Sequence, residues 1–277
     1  MSKMKAAFIG FMPAGITPEE RFEVLKNYAA LGYQANEVGD YLLQGDAEEN
    51  VKRLNDLGMR SITTLLGKGG IESVPELVKK ARILGVDKVV TFAGCVASYR
   101  FGGRELPPTY DEVMRELENY DAIAKELEKE GISLVFHNHD AEFKTYYNGK
   151  SAFYHMLDSS EYLKFEVDCG WVLYGGFDPV KVLKDVGSRL GAVHIKDFAL
   201  GNVAHPNEKK DPAKAVNPMP RFTMVGTGFL PLKDCLKTAR RLGIEYAIVE
   251  QDFLYHLTRE ETLRGAYLNM KETGYVE

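Results

Sequence analysis

Short apolar runs recur along the chain, and before each lies a segment of helical spacing that ends at a glycine. The phrases ALGYQANEVG, ILGVDKVVTFA and RLGIEYAIVE show this order. Glycine is preferred just past a helix end because it adopts positive φ without a Cβ clash. The apolar runs after it are typical of strands buried on both faces of a parallel sheet. The five glycines of this kind are Gly32, Gly58, Gly85, Gly131 and Gly243.

The alternation of helical and apolar segments predicts eight strands. Their ranges are 5–10, 33–38, 59–65, 87–93, 132–138, 163–168, 192–197 and 244–250. Alternating strands and helices indicate a parallel sheet, and eight such units in 277 residues have the size of a (β/α)8 barrel. We therefore predict an α/β fold, a single (β/α)8 TIM barrel spanning residues 1–277. A doubly wound open sheet is less favoured, since GFMPAGIT rather than GxGxxG follows the first strand.

One long stretch, residues 201–222, has no regular pattern. It follows the seventh strand, on the face where barrels keep their active sites, so we expect it to influence substrate choice. Its cations Lys209, Lys210 and Arg221 are candidates to meet a phosphate or carboxylate of the substrate. Its content of lysine and proline favours the alternative of a solvated loop.

Ionisable residues end the last four predicted strands. The fifth ends with His137 and His139, the sixth with Asp168, the seventh with His194 and Lys196, and the eighth with Glu250. The carboxyl ends of barrel strands meet at one mouth, so these groups are expected to share a cavity. Carboxylates with few imidazoles predict a divalent-metal site that favours Mn and leaves Mg, Co or Zn open.

Each of these residues also has a purely structural interpretation. Asp168 is suited to cap the following helix, Lys196 to pair with Asp197, and Glu250 to pair with Arg259. Glu37, at the end of the second strand, is a weaker candidate for the mouth and would serve equally well as a solvated loop carboxylate. Taken together, four neighbouring strands that end in this way are poorly explained by capping alone.

Composition narrows the class of protein. A net charge of −5 with acids and bases interspersed argues against a nucleic-acid-binding face. Three widely spaced cysteines without a CxxC pair indicate a reducing compartment and no disulfide framework. No run approaches the roughly 20 apolar residues of a membrane span, and the N-terminal run is too broken for a signal peptide. We expect a cytoplasmic protein.

Four segments in this order, HNHDAEF, VDCGW, VHIKD and VEQD, resemble the xylose-isomerase-like TIM-barrel family of sugar phosphate isomerases and epimerases. The resemblance covers nearly the whole chain. It implies one divalent metal ion held by Glu, Asp, His and Glu from strands five to eight. Asp168, His194 and Glu250 match the last three of these ligands.

The first ligand departs from the family pattern, since His137 stands where epimerases carry a glutamate. The chain resembles a subgroup with an HNHxxEF motif. We expect Glu142 to reach back to the metal from the loop; the alternative is that His137 itself is the ligand. Trp171 also replaces a histidine of the epimerases, and GTG at 226–228 lacks their acidic residue.

The resemblance implies proton abstraction next to a carbonyl through a metal-stabilised enediolate. Glu250 or His137 would be the base, with His139 or Lys196 as its partner. Trp171, Glu37 and Arg221 are candidates to contact the substrate, a keto-sugar or cyclitol. Dehydration or β-elimination on a keto-sugar or keto-glycoside fits the same residues. A non-catalytic sugar-binding barrel, a subunit of a hetero-oligomer and a homo-oligomer all stay open.

Overall fold

The structure is a computed structural model that describes residues 2–67, 70–92, 94–203 and 219–277. Residues 204–218, with Lys209 and Lys210 of the predicted loop, lie outside the described residues. The strands are β1 Lys5–Phe8, β2 Tyr33–Val38, β3 Arg60–Leu65, β4 Lys88–Thr91, β5 Ser133–His137, β6 Tyr146–Tyr147, β7 Lys150–Ser151, β8 Lys164–Asp168, β9 Leu190–Ile195, β10 Asp197–Val203, β11 Met219–Thr223 and β12 Tyr246–Val249.

The helices lie between these strands. They are α1 Pro18–Leu31, α2 Ala47–Asp56, α3 Val74–Leu84, α4 Cys95–Arg100, α5 Tyr110–Lys129, α6 Asp140–Lys144, α7 Ala152–Ser159, α8 Cys169–Tyr174, α9 Pro179–Val186, α10 Leu232–Arg241 and α11 Arg259–Glu272. Short 3-10 turns cover Asp40–Leu43, Ile71–Ser73 and Gly187–Arg189. None of the helices in the described ranges combines the length and the apolar character that crossing a bilayer requires.

Eight parallel strands close into a barrel in the order β1-β12-β9-β8-β5-β4-β3-β2. This confirms the predicted (β/α)8 barrel, and every predicted strand lies within about two residues of an observed one. The strands predicted as the fifth to the eighth are β5, β8, β9 and β12, and they are consecutive neighbours in the barrel. Their carboxyl ends therefore lie side by side at the mouth.

Local sequence signals place the helices. Three helices begin at a threonine whose hydroxyl accepts a backbone N–H three residues on, while a glutamate there accepts the threonine N–H. The pairs are Thr17 with Glu20, Thr109 with Glu112, and Thr258 with Glu261. The five predicted helix-ending glycines all have positive φ, between 67° and 111°. Local signals thus mark the starts of three helices and the ends of five.

The interior of the barrel has an apolar floor and an ionisable upper layer. A separate buried cluster of small and branched side chains forms the floor: Ala7, Ala35, Ile62, Ala192 and Ile248. Two residues further along three of these strands, on the same face, come Glu37, His194 and Glu250. The outward faces of the strands pack with the helices in the main hydrophobic core. The upper layer is therefore where ionisable side chains replace the apolar ones inside the barrel.

The stretch after β9 differs from the predicted irregular loop at both of its ends. Strands β10 and β11 pair as an antiparallel ribbon, so residues 201–203 and 219–222 are in strands. The buried carboxylate of Asp197 holds the turn that follows the ribbon, accepting N–H bonds from Phe198, Gly226, Gly228 and Leu230 at 2.9–3.0 Å. These backbone bonds replace the predicted ion pair of Asp197 with Lys196.

We predict that Asp197→Asn lowers the free energy of unfolding by about 2–4 kcal/mol. Each carboxylate oxygen of Asp197 accepts two N–H groups, and an amide nitrogen in place of either oxygen would leave two buried donors without an acceptor. Urea unfolding followed by circular dichroism measures the change. The control is Asp178→Asn, an exposed helix cap with one N–H bond, where asparagine caps equally well. An equal, small effect in both variants would contradict the assigned role of Asp197.

Candidate active site

Four side chains at the carboxyl ends of neighbouring strands meet above the apolar floor. They are His137, Asp168, His194 and Glu250, and each offers one ligand atom within 4.8 Å of the others. His137, Asp168 and His194 are at most 1% exposed. The side chain of Glu250 is 18% exposed, so it is the member of the group that faces the mouth.

The polar residues of the FHNHDAEF stretch have different roles. His137 ends β5 and turns into the group, whereas Asn138 clamps the next strand: its Oδ1 accepts the N–H of Asp168 at 3.1 Å. His139 lies just beyond, with its ring 5.0 Å from that of His137. Asp140 pairs with Arg100 at 3.2 Å and with Lys144 at 2.8 Å, which ties α6 to α4. The motif thus builds the rim as well as the group.

Asp168 has two roles, one for each carboxylate oxygen. Oδ1 accepts the N–H of Trp171 at 2.8 Å and caps α8, which confirms the structural interpretation. Oδ2 accepts no hydrogen bond from the described residues, and the Lys196 ammonium lies 3.3 Å from it. Burial raises the pKa of Asp168 to about 6, in spite of the nearby ammonium. The cap fixes the carboxylate so that Oδ2 turns toward the group.

The Lys196 ammonium lies among three carboxylates. Its Nζ is 2.8 Å from Asp252, 3.1 Å from Glu250 and 3.3 Å from Asp168, and 4.8 Å from the centre of the Trp171 ring. Burial opposes the charged form, but the carboxylates of Asp168 and Asp252 outweigh it and raise the pKa of Lys196 above its ordinary value. Lys196 is therefore a charged hydrogen-bond donor rather than a base.

His194 contacts carboxylates at both ring nitrogens. Nδ1 lies 2.8 Å from Glu250, and Nε2 lies 2.8 Å from Glu37 and 2.7 Å from Glu166. Burial disfavours a charged imidazole, yet Glu166 and Glu37 raise the pKa of His194 well above its ordinary value. Burial likewise would raise the pKa of Glu250, but the charges of Lys196 and His194 hold it well below the usual range. Glu250 thus contacts His194 and Lys196, and not Arg259, the partner that the purely structural interpretation gave it.

The two histidines of the FHNHDAEF stretch, His137 and His139, are both neutral near pH 7. Burial, and then the positive charge of His194, lower the pKa of His137 well below its ordinary value. Burial and the charge of Lys196 lower the pKa of His139 to about 4. Nδ1 of His139 is buried and makes no hydrogen bond to the described residues. Neutral imidazoles are the forms that ligate a metal or accept a proton.

Glu142 lies outside the group. Its Oε2 accepts the backbone N–H of His139 at 2.7 Å at the start of α6, as the glutamate of a capping box does. Burial raises the pKa of Glu142 to about 8. The structure therefore brings His137 and not Glu142 to Asp168, His194 and Glu250.

The three residues expected to contact substrate lie in different places. Trp171 is 1% exposed in an aromatic cluster with Phe198 and Phe222, and its ring is 5.9 Å from that of His139. Glu37 is fully buried below the mouth, where its carboxylate contacts His194. It is therefore neither a rim residue nor a solvated loop carboxylate. Arg221 is exposed on β11 and lines a cavity with Gln251 and Tyr255.

Sequence reasoning missed two carboxylates at this site. Glu166 lies two residues before Asp168 on the same strand face, so the alternation that selected Asp168 would also have selected Glu166. Asp252 follows Glu250 by two residues in VEQD, and it approaches Lys196 beyond the end of β12. Burial and the charge of Glu37 raise the pKa of Glu166 well above its ordinary value, whereas the charge of His194 and its hydrogen bond to Glu166 favour the carboxylate form.

The donor set of the group suits a divalent cation. Two imidazoles and two carboxylates are ligands that Mn, Co and Zn accept. Oδ2 of Asp168 is buried without a hydrogen bond to the described residues; the Lys196 ammonium, 3.3 Å away, offsets part of its charge, and a bound cation would offset more. A second set of three groups, Glu37, Glu166 and His194, also lies within 4.8 Å. Buried histidine, aspartate and glutamate clusters able to bind a metal are thus present.

Comparison with protein families identifies one match. The sequence model of the family described as xylose isomerase-like TIM barrel matches residues 25–266. No curated protein sequence matches the chain.

Solved structures with the same fold are numerous. A sugar phosphate isomerase/epimerase from Parabacteroides distasonis has a TM-score of 0.71 at 20% identity, covering 99% of this chain and 96% of that chain. An L-ribulose 3-epimerase has a TM-score of 0.66 at 14% identity, with coverage of 98% and 96%. The probable 3-DHS dehydratase AsbF from Bacillus anthracis has a TM-score of 0.66 at 14% identity, with coverage of 97% and 98%. At these identities the similarity shows the shared fold.

We predict that Glu142→Gln removes a pH dependence from the stability of the protein. The folded-state pKa of Glu142, about 8, lies above its value in the unfolded chain. Its contribution to stability is therefore complete below about pH 4.5 and is lost as pH rises toward 8, with a slope of at most about 1.4 kcal/mol per pH unit. Relative to wild type, the glutamine variant should gain stability as pH rises from 5 to 8, measured by urea unfolding with a chelator present.

Glu112 provides the matched control for this measurement. It also accepts a helix-start N–H, that of Thr109 at 2.7 Å, but it is exposed and its pKa is lowered to about 2 by that bond and by Arg104. Glu112→Gln should run parallel to wild type between pH 5 and 8. A Glu142→Gln curve that also runs parallel would contradict a protonated, structural Glu142.

Proposed function

Because this chain belongs to the xylose isomerase-like TIM barrel family, we propose that it is a divalent-metal-dependent sugar isomerase or epimerase that removes a proton next to a carbonyl. The observation that carries the proposal is the buried group of His137, Asp168, His194 and Glu250, with the Lys196 ammonium beside it at the barrel mouth. Structural neighbours named as isomerases and epimerases support the class of reaction. The substrate is a keto-sugar or cyclitol.

The proposed ligands are His137, Asp168, His194 and Glu250, with Mn as the favoured ion and Mg, Co or Zn as alternatives. His137 takes the place that the sequence first gave to Glu142, because Glu142 is engaged at the start of α6. Membership of the HNHxxEF subgroup is part of this proposal, since Asn138 and Glu142 of the motif have structural roles at the rim. A bound cation would neutralise the negative charge that develops on the substrate oxygen as the proton leaves.

The remaining groups divide the proton transfer between them. Glu250 is the proposed base, because it is ionised and is the member of the group that reaches the mouth. Lys196, charged and 3.1 Å from Glu250, is suited to stabilise the developing negative charge and to keep Glu250 ionised. The neutral His139 beside Trp171 is the proposed partner that holds or returns a proton on the other side of the mouth.

A second reaction, β-elimination from a keto-sugar, is favoured by Asp252. Burial raises the pKa of Asp252, and its carboxyl group lies 2.8 Å from the Lys196 ammonium at the mouth. From this position the protonated form of Asp252 would be placed to give its proton to a leaving oxygen after Glu250 has removed the neighbouring proton. Isomerisation and elimination thus share the base and differ in the acid.

We predict that purified protein binds one divalent ion per chain and that His137→Gln and Asp168→Asn lower its affinity by at least about 100-fold. Both variants remove an anionic or imidazole ligand of the group. Titration with Mn2+, followed by electron paramagnetic resonance of the free ion, gives the affinity. Glu142→Gln is the matched control and should bind as wild type does. Loss in Glu142→Gln with retention in His137→Gln would restore Glu142 as the first ligand.

We predict that the loaded enzyme exchanges the proton next to the carbonyl of a keto-sugar with solvent deuterium, and that Glu250→Gln slows this exchange by about 100- to 10,000-fold at saturating metal. Proton NMR of a panel of ketoses in D2O measures the exchange and also distinguishes epimers, isomers and enones. Glu245→Gln, a surface glutamate paired with Lys5, is the control. Tight metal binding without exchange on any keto-sugar would favour a non-catalytic sugar-binding barrel.

A further inference from the structure

One oxygen of Glu166 contacts both imidazoles of the candidate metal group. Oε1 lies 3.0 Å from Nδ1 of His137 and 2.7 Å from Nε2 of His194. Glu166 is on β8, between β5 and β9 in the barrel, and its backbone pairs directly with His137. All three side chains are at most 1% exposed. The strand register therefore holds a carboxylate between two rings that come from opposite sides.

We propose that Glu166 is a positioning residue that fixes the tautomers of both histidines, an inference that rests on the metal site proposed above. A ring nitrogen that donates to a carboxylate carries the hydrogen, so the other nitrogen keeps its lone pair. In His137 the hydrogen is then on Nδ1, and Nε2 is free, 4.0 Å from Oδ2 of Asp168. In His194 the hydrogen on Nε2 would stay with Glu166, and a bound cation would replace the hydrogen on Nδ1, which lies 2.8 Å from Oε2 of Glu250.

In the metal-loaded protein the two rings would thereby be held in opposite tautomers, with the second nitrogen of each ring turned toward the carboxylates of Asp168 and Glu250. A carboxylate behind a ligating imidazole also raises the basicity of the ring and fixes its orientation. Glu166 contacts two proposed ligands in this way, so its removal should weaken metal binding more than the loss of one contact would. Glu166, which lies below the four proposed ligands, would in this way determine which ring nitrogens of His137 and His194 face the cation.

Glu37 offers a matched comparison. It is also a fully buried glutamate, and its Oε2 lies 2.8 Å from the same Nε2 of His194. Within the described residues, Glu166 contacts both rings, whereas Glu37 contacts that of His194. Glu37→Gln and Glu166→Gln therefore make the same chemical change in the same layer, but they differ in the number of ligands that lose a charged acceptor.

A second cation among Glu37, Glu166 and His194 is the competing assignment for these carboxylates. Nε2 of His194 cannot both donate a hydrogen to Glu166 and ligate a cation. The number of ions bound per chain therefore separates the two assignments: positioning by Glu166 requires one, and the competing site requires two.

The experiment compares wild type, Glu166→Gln and Glu37→Gln by titration with Co2+, using the visible absorption of bound cobalt and competition with a chelating dye. We expect one ion in wild type, a 10- to 100-fold loss of affinity with an altered spectrum in Glu166→Gln, and a smaller loss in Glu37→Gln. Circular dichroism verifies that each variant is folded. An unchanged affinity and spectrum in Glu166→Gln would overturn the role of Glu166 alone, whereas no ion in wild type would remove the proposed metal site with it.

A second measurement needs no variant at Glu166. In Zn2+-loaded wild type, nitrogen-15 NMR of the histidine rings reports which nitrogen carries hydrogen, and His137→Gln and His194→Gln assign the signals. We expect hydrogen on Nδ1 of His137 and on Nε2 of His194. The same tautomer in both rings, or two zinc ions per chain, would overturn the proposal even if Glu166→Gln failed to fold.

Discussion

Several carboxylates buried in one barrel must be balanced by positive charge, and this constraint shapes the whole mouth. Glu37, Glu166 and Asp168 are fully buried, and Glu250 is nearly so. A buried carboxylate without a compensating partner would take up a proton instead of staying charged. The positive charge of Lys196 balances carboxylates near the mouth, and that of His194 balances the carboxylates below it. Oδ2 of Asp168 still faces the group without a hydrogen bond from the described residues. The Lys196 ammonium lies 3.3 Å from this oxygen, but the four carboxylates named here outnumber Lys196 and His194, and that excess of negative charge supports a bound cation.

The fold could be predicted from sequence because its signals are local. Helix-ending glycines such as Gly32, capping threonines such as Thr17, and apolar runs after them act within a few residues. The alternation of strands and helices then leaves few topologies, and a closed barrel satisfies every strand edge. The ribbon of β10 and β11 could not be predicted in the same way. Its pairing joins residues on the two sides of a long stretch that has no repeating pattern, and it depends on Asp197 binding distant backbone groups.

The candidate site was predictable in its strand ends but not in its details. Asp168, His194 and Glu250 come together because parallel strands present their carboxyl ends at one mouth. The sequence predicts that Glu142 reaches back to them from the loop, but a short helix starts directly after His139, and the carboxyl group of Glu142 accepts the backbone N–H of His139 there. Glu166 was not recognised from sequence because it lies inside an apolar run, where the pattern indicates only a strand. The role of Glu166 depends on His137 of β5 and His194 of β9, which are far from it in sequence.

The most direct test of the account is a crystal structure of the Mn2+-loaded protein with an anomalous difference map at the manganese edge. The account predicts one peak within bonding distance of Nε2 of His137, Nδ1 of His194, Asp168 and Glu250. It also predicts that Glu166 lies behind both rings and makes no bond to the ion. A peak on Glu142, a peak between Glu37 and Glu166, or no peak at the mouth would contradict it.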